Sequence, residues 1–91
     1  MRTIWKFPLQ ITDFQKIEMP RGAHILSVQA QGGQLCLWAY VLSDEEKEER
    51  AFWILGTGNP VERPEHIGPF LGTVQMHGGM LVWHVFEHHY K

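Results

Sequence analysis

Cysteine, long apolar runs and an excess of basic charge are all scarce in this 91-residue chain. The single cysteine, Cys36, excludes an internal disulfide, and its apolar neighbours predict a small buried hydrophobe in a reducing compartment. No run approaches the roughly 18 apolar residues that span a bilayer, and the first ten residues lack the apolar stretch of a signal peptide. We therefore expect a soluble, cytoplasmic protein with no membrane partner.

The charge balance argues against nucleic acid as a partner. Eight Lys and Arg residues face ten Asp and Glu residues, and the basic residues are scattered along the chain. The length suits a single domain, residues 1–91, and is too short for a two-domain enzyme. Because a domain of this size leaves a large share of its surface uncovered, we also expect a homo-oligomer.

Short β-branched and aromatic runs, broken by Gly, Pro, Asn and Asp, predict an all-β fold. Residues 4–7 and 14–19 read as short N-terminal strands that end at Pro8 and Pro20, as sheet-edge strands do. Two hairpins follow, residues 24–42 around Gly32 and Gly33 and residues 70–86 around Gly78 and Gly79. The expected architecture is a small antiparallel sandwich or open barrel built from these two glycine-turn hairpins and the N-terminal strands.

Residues 35–42 are apolar on both faces, which predicts a central strand whose aromatic side meets a second sheet or a neighbouring subunit. The polar run at residues 43–50 fits either a single helical turn or an exposed hairpin tip. A long irregular loop should occupy residues 56–69, where three prolines fall, and the tail at residues 87–91 should fray.

The sequence contains no pattern that specifies a reaction. No CxxC, HExxH or DxD spacing accompanies the six histidines, and His88 and His89 read as exposed tail residues. No nucleophile is placed beside a base and an orienting group, and the clustered glutamates fit a solvated surface. We therefore expect neither an enzyme nor a metal site nor a cofactor.

The most suggestive segment for binding is the glycine-rich turn at residues 56–60, directly after an aromatic strand. Two glycines free backbone N–H groups, an aromatic side chain can stack on a ring, and arginines at positions 50 and 63 bracket the segment. Arginine on the turn at residues 21–22 offers a second anion contact. The candidate ligand-binding residues are Arg21, Trp53, Thr57, Asn59 and Arg63, with His24 and His84 as secondary polar contacts.

Six segments, IWKFPL, MPRGAHILSVQ, LCLWAYV, FWILGTGNP, FLGTVQ and LVWHVFE, together resemble a family of small bacteriophage-encoded proteins that carry a domain of unknown function. The resemblance covers nearly the whole chain and implies a phage origin and a location in the host cytoplasm. It implies no chemistry and no catalytic residue.

Our first hypothesis is an accessory counter-defence protein that sequesters a small anionic, nucleotide-derived signal without catalysis, in a pocket at a subunit interface. An alternative is an inhibitor that binds a host defence protein through a strand edge or an aromatic patch. A virion or assembly accessory protein is a further alternative.

Overall fold

The computed structural model describes residues 1–90, and they form seven strands in two antiparallel sheets. This architecture confirms the predicted all-β sandwich and is not a closed barrel. Residues 1–90 contain no α-helix, only a short 3₁₀ turn at Pro64–His66. Within this range, no helix is long and apolar enough to cross a membrane.

The strands run in chain order as β1 (Arg2–Pro8), β2 (Phe14–Pro20), β3 (His24–Gln31), β4 (Gln34–Leu42), β5 (Lys47–Gly56), β6 (Ile67–Met76) and β7 (Leu81–His88). The first sheet has the order β1-β4-β3 and the second has the order β2-β5-β7-β6. Both N-terminal strands therefore lie at sheet edges, and β4 is central in its sheet, as the sequence predicts. The two predicted hairpins belong to different sheets and face each other across the core.

The core forms where the alternating apolar positions of the two sheets meet. In β4 the side chains of Leu35, Leu37, Ala39 and Val41 are all buried, and those of Phe52, Ile54 and Val85 are buried on the facing sheet. The opposite, aromatic side of β4 was the one predicted to meet a second sheet. The prediction of a second sheet on that side is wrong, because Tyr40 and Leu42 face outward and stay exposed.

The first hairpin turns where the sequence places its glycine pair. Gly32 and Gly33 have φ angles of 58° and 78°, a left-handed geometry that suits a two-residue hairpin loop and that other residues adopt at a cost. This turn fixes the pairing of Gln31 with Gln34. The register in turn directs the alternate apolar residues of β4 into the core.

Two local predictions are wrong. The polar run contains a turn only up to Glu46, and β5 already begins at Lys47, so half of the run is strand. The predicted frayed tail is ordered through position 90, because the hydroxyl oxygen of Tyr90 accepts a hydrogen bond from the Ala51 N–H at 2.6 Å. Lys91, the last residue of that predicted tail, lies outside the described residues.

The long connection between β5 and β6, residues 57–66, crosses the sheet, and we call it the strap. Both β5 and β6 are antiparallel to β7, so they run parallel to each other and their connection must return from one end of the sheet to the other. It starts beside Trp83, the partner of Gly56, and ends beside His88, the partner of Ile67. The predicted loop is therefore a crossover, although β6 already begins two residues before Pro69.

Candidate functional site

The floor of the candidate site is the outer face of the four-stranded sheet. Phe52 and Ile54 point into the core and are buried, so Trp53 between them points outward. Its cross-strand partners are Phe14 on β2 and Phe86 on β7, and partners of this kind share one face of a sheet. An aromatic surface therefore lies where the strap crosses.

A cavity of about 260 Å³ lies between this floor and the strap. Trp53 and Leu55 line it from the sheet, and Asn59 and Arg63 line it from the strap. The carboxylates of Asp13 and Glu62 are also among the lining residues. The structure thus brings together three of the predicted ligand-binding residues, Trp53, Asn59 and Arg63, within one chain.

A second cavity, of about 350 Å³, adjoins the first at Trp53. Phe14, His66 and His88 line it, and it shares both Trp53 and Arg63 with the first cavity. Its walls are thus mostly aromatic. A planar ring that enters either cavity would meet the indole of Trp53 and lie near a guanidinium group.

The position of the indole is fixed by its neighbours. The Nε1–H group of Trp53 donates to Nδ1 of His88 at 3.1 Å, and the two rings lie at 22° to each other with centroids 6.2 Å apart. The ring of Phe14 packs against the indole at 4.8 Å. Because Nδ1 of His88 accepts this hydrogen bond, the neutral imidazole carries its proton on Nε2. The prediction that His88 is an exposed tail residue is therefore wrong.

Arg63 supplies the cation of the site. Its side chain is 64% exposed. The nearest carboxylate oxygen, on Glu65, lies 3.8 Å from Nη1 in an ion pair that is too long for a good hydrogen bond. The guanidinium group therefore keeps donors for a ligand. With Asp13 and Glu62 in the same cavity and Glu65 at 3.8 Å, one cation is set against three carboxylates. This balance favours a ligand with few negative charges over a polyanion.

Thr57 and His84 lie together at a neighbouring position on the same outer face. The hydroxyl of Thr57 is 2.7 Å from Nε2 of His84, and the hydroxyl of Thr73 is 2.9 Å from Nδ1. Both ring nitrogens are thus occupied by threonine hydroxyls. Thr57 lines a separate cavity of about 220 Å³ that shares Asn59 with the cavity under the strap.

Arg21 and His24 lie away from this site. Arg21 forms ion pairs with Glu45 at 2.9 Å and Glu46 at 3.7 Å, beside the first residue of β5. That end of β5 is six residues from Trp53, about 20 Å at the usual rise of a strand. His24 pairs with Tyr40 in the other sheet. Neither side chain lines the cavities at Trp53.

Arg50, which the sequence places beside the glycine-rich turn as an anion contact, has a structural role. Its guanidinium group binds Glu87 through Nε and Nη2 and the carbonyl of Ala23 through Nη1. Three donors of this arginine are thus directed at protein acceptors. It is therefore not free to hold a phosphate at the strap.

Sequence reasoning did not identify Phe14, His66 or His88 as site residues. The even spacing of positions 84 and 88 predicts that both histidines lie on one face of a strand, but it does not mark His88 as a ligand contact. The pairing of Phe14 with Trp53 joins strands 39 residues apart in sequence, and no local pattern encodes it. Among residues 1–90, no group of three or more His, Cys, Asp or Glu side chains could hold a metal ion.

Comparisons with known proteins identify the family of the chain and name no ligand. No curated protein and no solved structure is significantly similar to the chain. One family model, described as Domain of unknown function (DUF7352), matches residues 1–91. The resemblance to a family with a domain of unknown function is thereby confirmed, and the chain belongs to the DUF7352 family.

Proposed function

We propose that this protein binds a small, nucleotide-like ligand without catalysis, between the strap and the outer face of the four-stranded sheet. One observation carries the proposal: Trp53 forms a wall of two adjoining cavities, and Arg63 lies at both of them. This arrangement offers a ring for stacking next to a guanidinium group whose ion pair with Glu65, at 3.8 Å, is too long for a good hydrogen bond and leaves donors for a phosphate. Small-molecule sites commonly combine such an aromatic wall with a few polar groups.

The remaining lining groups suit the other parts of a nucleotide. The carboxylates of Asp13 and Glu62 can accept hydrogen bonds from ribose hydroxyls or from the amino group of a base. The side-chain amide of Asn59 can both donate and accept at the edge of a base. Because Arg63 is the one cation among these lining residues, the site favours a ligand with one phosphate at this position.

The biological setting is part of the same proposal. The resemblance to small bacteriophage-encoded proteins supports an accessory protein that acts in the host cytoplasm, where it removes a nucleotide-derived signal used in host defence. Binding alone is enough for this task. Self-association through the outer face of the first sheet would leave the cavities at Trp53 accessible, because they lie on the other sheet.

Native mass spectrometry and isothermal titration calorimetry test the proposal directly. The untagged protein is titrated with nucleoside monophosphates, cyclic mononucleotides, cyclic dinucleotides and NAD-derived nucleotides. We expect a bound mass and an affinity that falls by about tenfold or more in both Trp53→Ala and Arg63→Ala, because each removes one main contact. Arg21→Ala is the matched control and should bind normally, since Arg21 is remote from the cavities. Absence of binding across the panel would refute the proposal.

A second candidate function, protein binding, is supported by the outer face of the first sheet. Ile4, Tyr40 and Leu42 are 55%, 42% and 38% exposed, and Ile4 pairs directly with Tyr40. Exposed apolar patches of this kind often mark protein contacts. Sedimentation velocity of the wild type and of Tyr40→Glu tests self-association. A sedimentation coefficient that is unchanged by the substitution would exclude this face as the contact between copies.

A further inference from the structure

Four aromatic side chains form one continuous row across the outer face of the four-stranded sheet. Phe14 is the register partner of Trp53, Trp53 is the partner of Phe86, and Phe86 is the partner of Phe70. Every strand of the sheet thus contributes one ring. With neighbouring strands about 4.8 Å apart, the row is about 14 Å long.

The row is divided into two pairs of rings. The ring of Trp53 packs against Phe14 with centroids 4.8 Å apart, and the ring of Phe86 packs against Phe70 at 5.3 Å. Each central ring, Trp53 or Phe86, thus packs against the ring that the neighbouring edge strand contributes. Two aromatic faces lie side by side, each able to accept one planar ring.

The two halves differ in how they are covered. Strap residues enclose the Trp53 half, whereas Phe70 remains 58% exposed at the edge strand. The uncovered half also has little charge near it. Glu87, next to Phe86, is directed to the inner side of the sheet and paired with Arg50. The polar side chains that flank Phe86 on the outer face of β7 are His84, held by two threonines, and His88, bound to Trp53.

We infer that the ligand carries two nucleobases, one on the Trp53 half of the row and the second on the Phe86–Phe70 half. This inference rests on the proposed function and specifies its ligand as a dinucleotide. Because the row continues in register from the cavities at Trp53 to Phe86 and Phe70, one ligand can span both halves. One phosphate between two nucleosides also agrees with the single cation, Arg63.

The test compares two-base and one-base ligands on the same protein. The probes are the four dinucleoside monophosphates with identical bases, and the four matching nucleoside monophosphates, titrated by calorimetry. For at least one base, we expect the dinucleotide to bind about tenfold more tightly than the mononucleotide, since stacking of one base on an aromatic ring contributes about this factor. Phe70→Ala should abolish that preference and leave mononucleotide affinity unchanged.

Two further variants separate the possible failures. Trp53→Ala should weaken both classes of ligand, and Tyr40→Ala, which removes an exposed ring from the opposite sheet, should change neither. If the wild type binds no nucleotide, the proposed function fails and this inference fails with it. If mononucleotides bind and the preference for dinucleotides is absent or survives Phe70→Ala, only the inference is overturned. If Phe70→Ala instead dissociates a dimer of the wild type, the exposed half is a contact between copies and the inference is again overturned.

Discussion

Arg50 and Glu87 form a two-point ion pair that ties β5 to the end of β7. Nε of Arg50 lies 2.6 Å from Oε2 of Glu87, and Nη2 lies 3.0 Å from Oε1. The two side chains are only 17% and 12% exposed. The third contact, from Nη1 to the carbonyl of Ala23 at 2.7 Å, connects this pair to the segment that leads into the other sheet.

Arg50→Ala should destabilise the protein by about 3 kcal/mol, because it leaves the largely buried carboxylate of Glu87 without its partner. The measurement is the free energy of unfolding in urea. Arg21→Ala breaks an exposed pair instead and should cost less than about 1 kcal/mol. Equal losses in the two variants would contradict a special contribution from the Arg50–Glu87 pair.

The stability that Arg50 contributes should not depend on pH between about pH 7 and about pH 10. Its hydrogen bond to Glu87 raises the pKa of the Arg50 guanidinium above its ordinary, already strongly basic value. A raised folded-state pKa gives a stabilisation that is complete below the unfolded-state pKa and is lost only as pH rises through the folded-state pKa. The difference in unfolding free energy between wild type and Arg50→Ala should therefore be equal at both ends of this range. A difference that shrinks toward high pH would contradict this assignment.

Local alternation in the sequence was enough to predict much of the fold. Leu35, Leu37, Ala39 and Val41 are at every second position, and a strand must place such residues on one face. The glycine pair at positions 32 and 33 then fixes the turn and the register of that strand. Both signals lie within a few residues of one another, so they can be read from the chain without knowledge of the rest of the molecule.

The site depended on pairings between distant segments, which no local pattern contains. The row from Phe14 to Phe70 exists only because β2 and β6 lie on opposite sides of the β5–β7 pair. The role of Arg50 could not be read from its neighbours either, because its partner is 37 residues away. Three site residues could be predicted from the sequence because they are close together in the chain. Trp53 lies on β5, and Asn59 and Arg63 lie on the strap that directly follows this strand.

Gly68→Ala should destabilise the protein by about 2 kcal/mol or more through a clash between backbones. An ideal Cβ at Gly68 would lie 2.6 Å from the carbonyl oxygen of Glu87 and 3.0 Å from the amide nitrogen of His89, so β6 would have to move away from β7. Gly72→Ala in the same strand is the matched control. Its Cβ would meet Val28 at an ordinary 3.7 Å, so the unfolding free energy should change by less than about 1 kcal/mol. Similar losses at both positions would show that the close approach at Gly68 is not the cause.

His88→Phe should weaken ligand binding by about tenfold while the domain stays folded, because it removes the acceptor that orients the indole of Trp53. A phenyl ring retains the contacts with Phe14 and Tyr90, whose ring centroids lie 5.5 and 5.1 Å from that of His88. Calorimetric titration with a nucleotide that the wild type binds gives the affinity, and thermal unfolding reports the fold.

His89→Phe is the matched control for this substitution, since residue 89 is exposed and the backbone bond of His89 to His66 does not involve the side chain. It should change neither affinity nor unfolding. Normal affinity in His88→Phe would mean that packing alone positions Trp53, because the substitution keeps the ring contacts and removes only the hydrogen bond. A matching loss in His89→Phe would assign the effect to the added apolar surface, because both variants gain a phenyl ring near the end of β7.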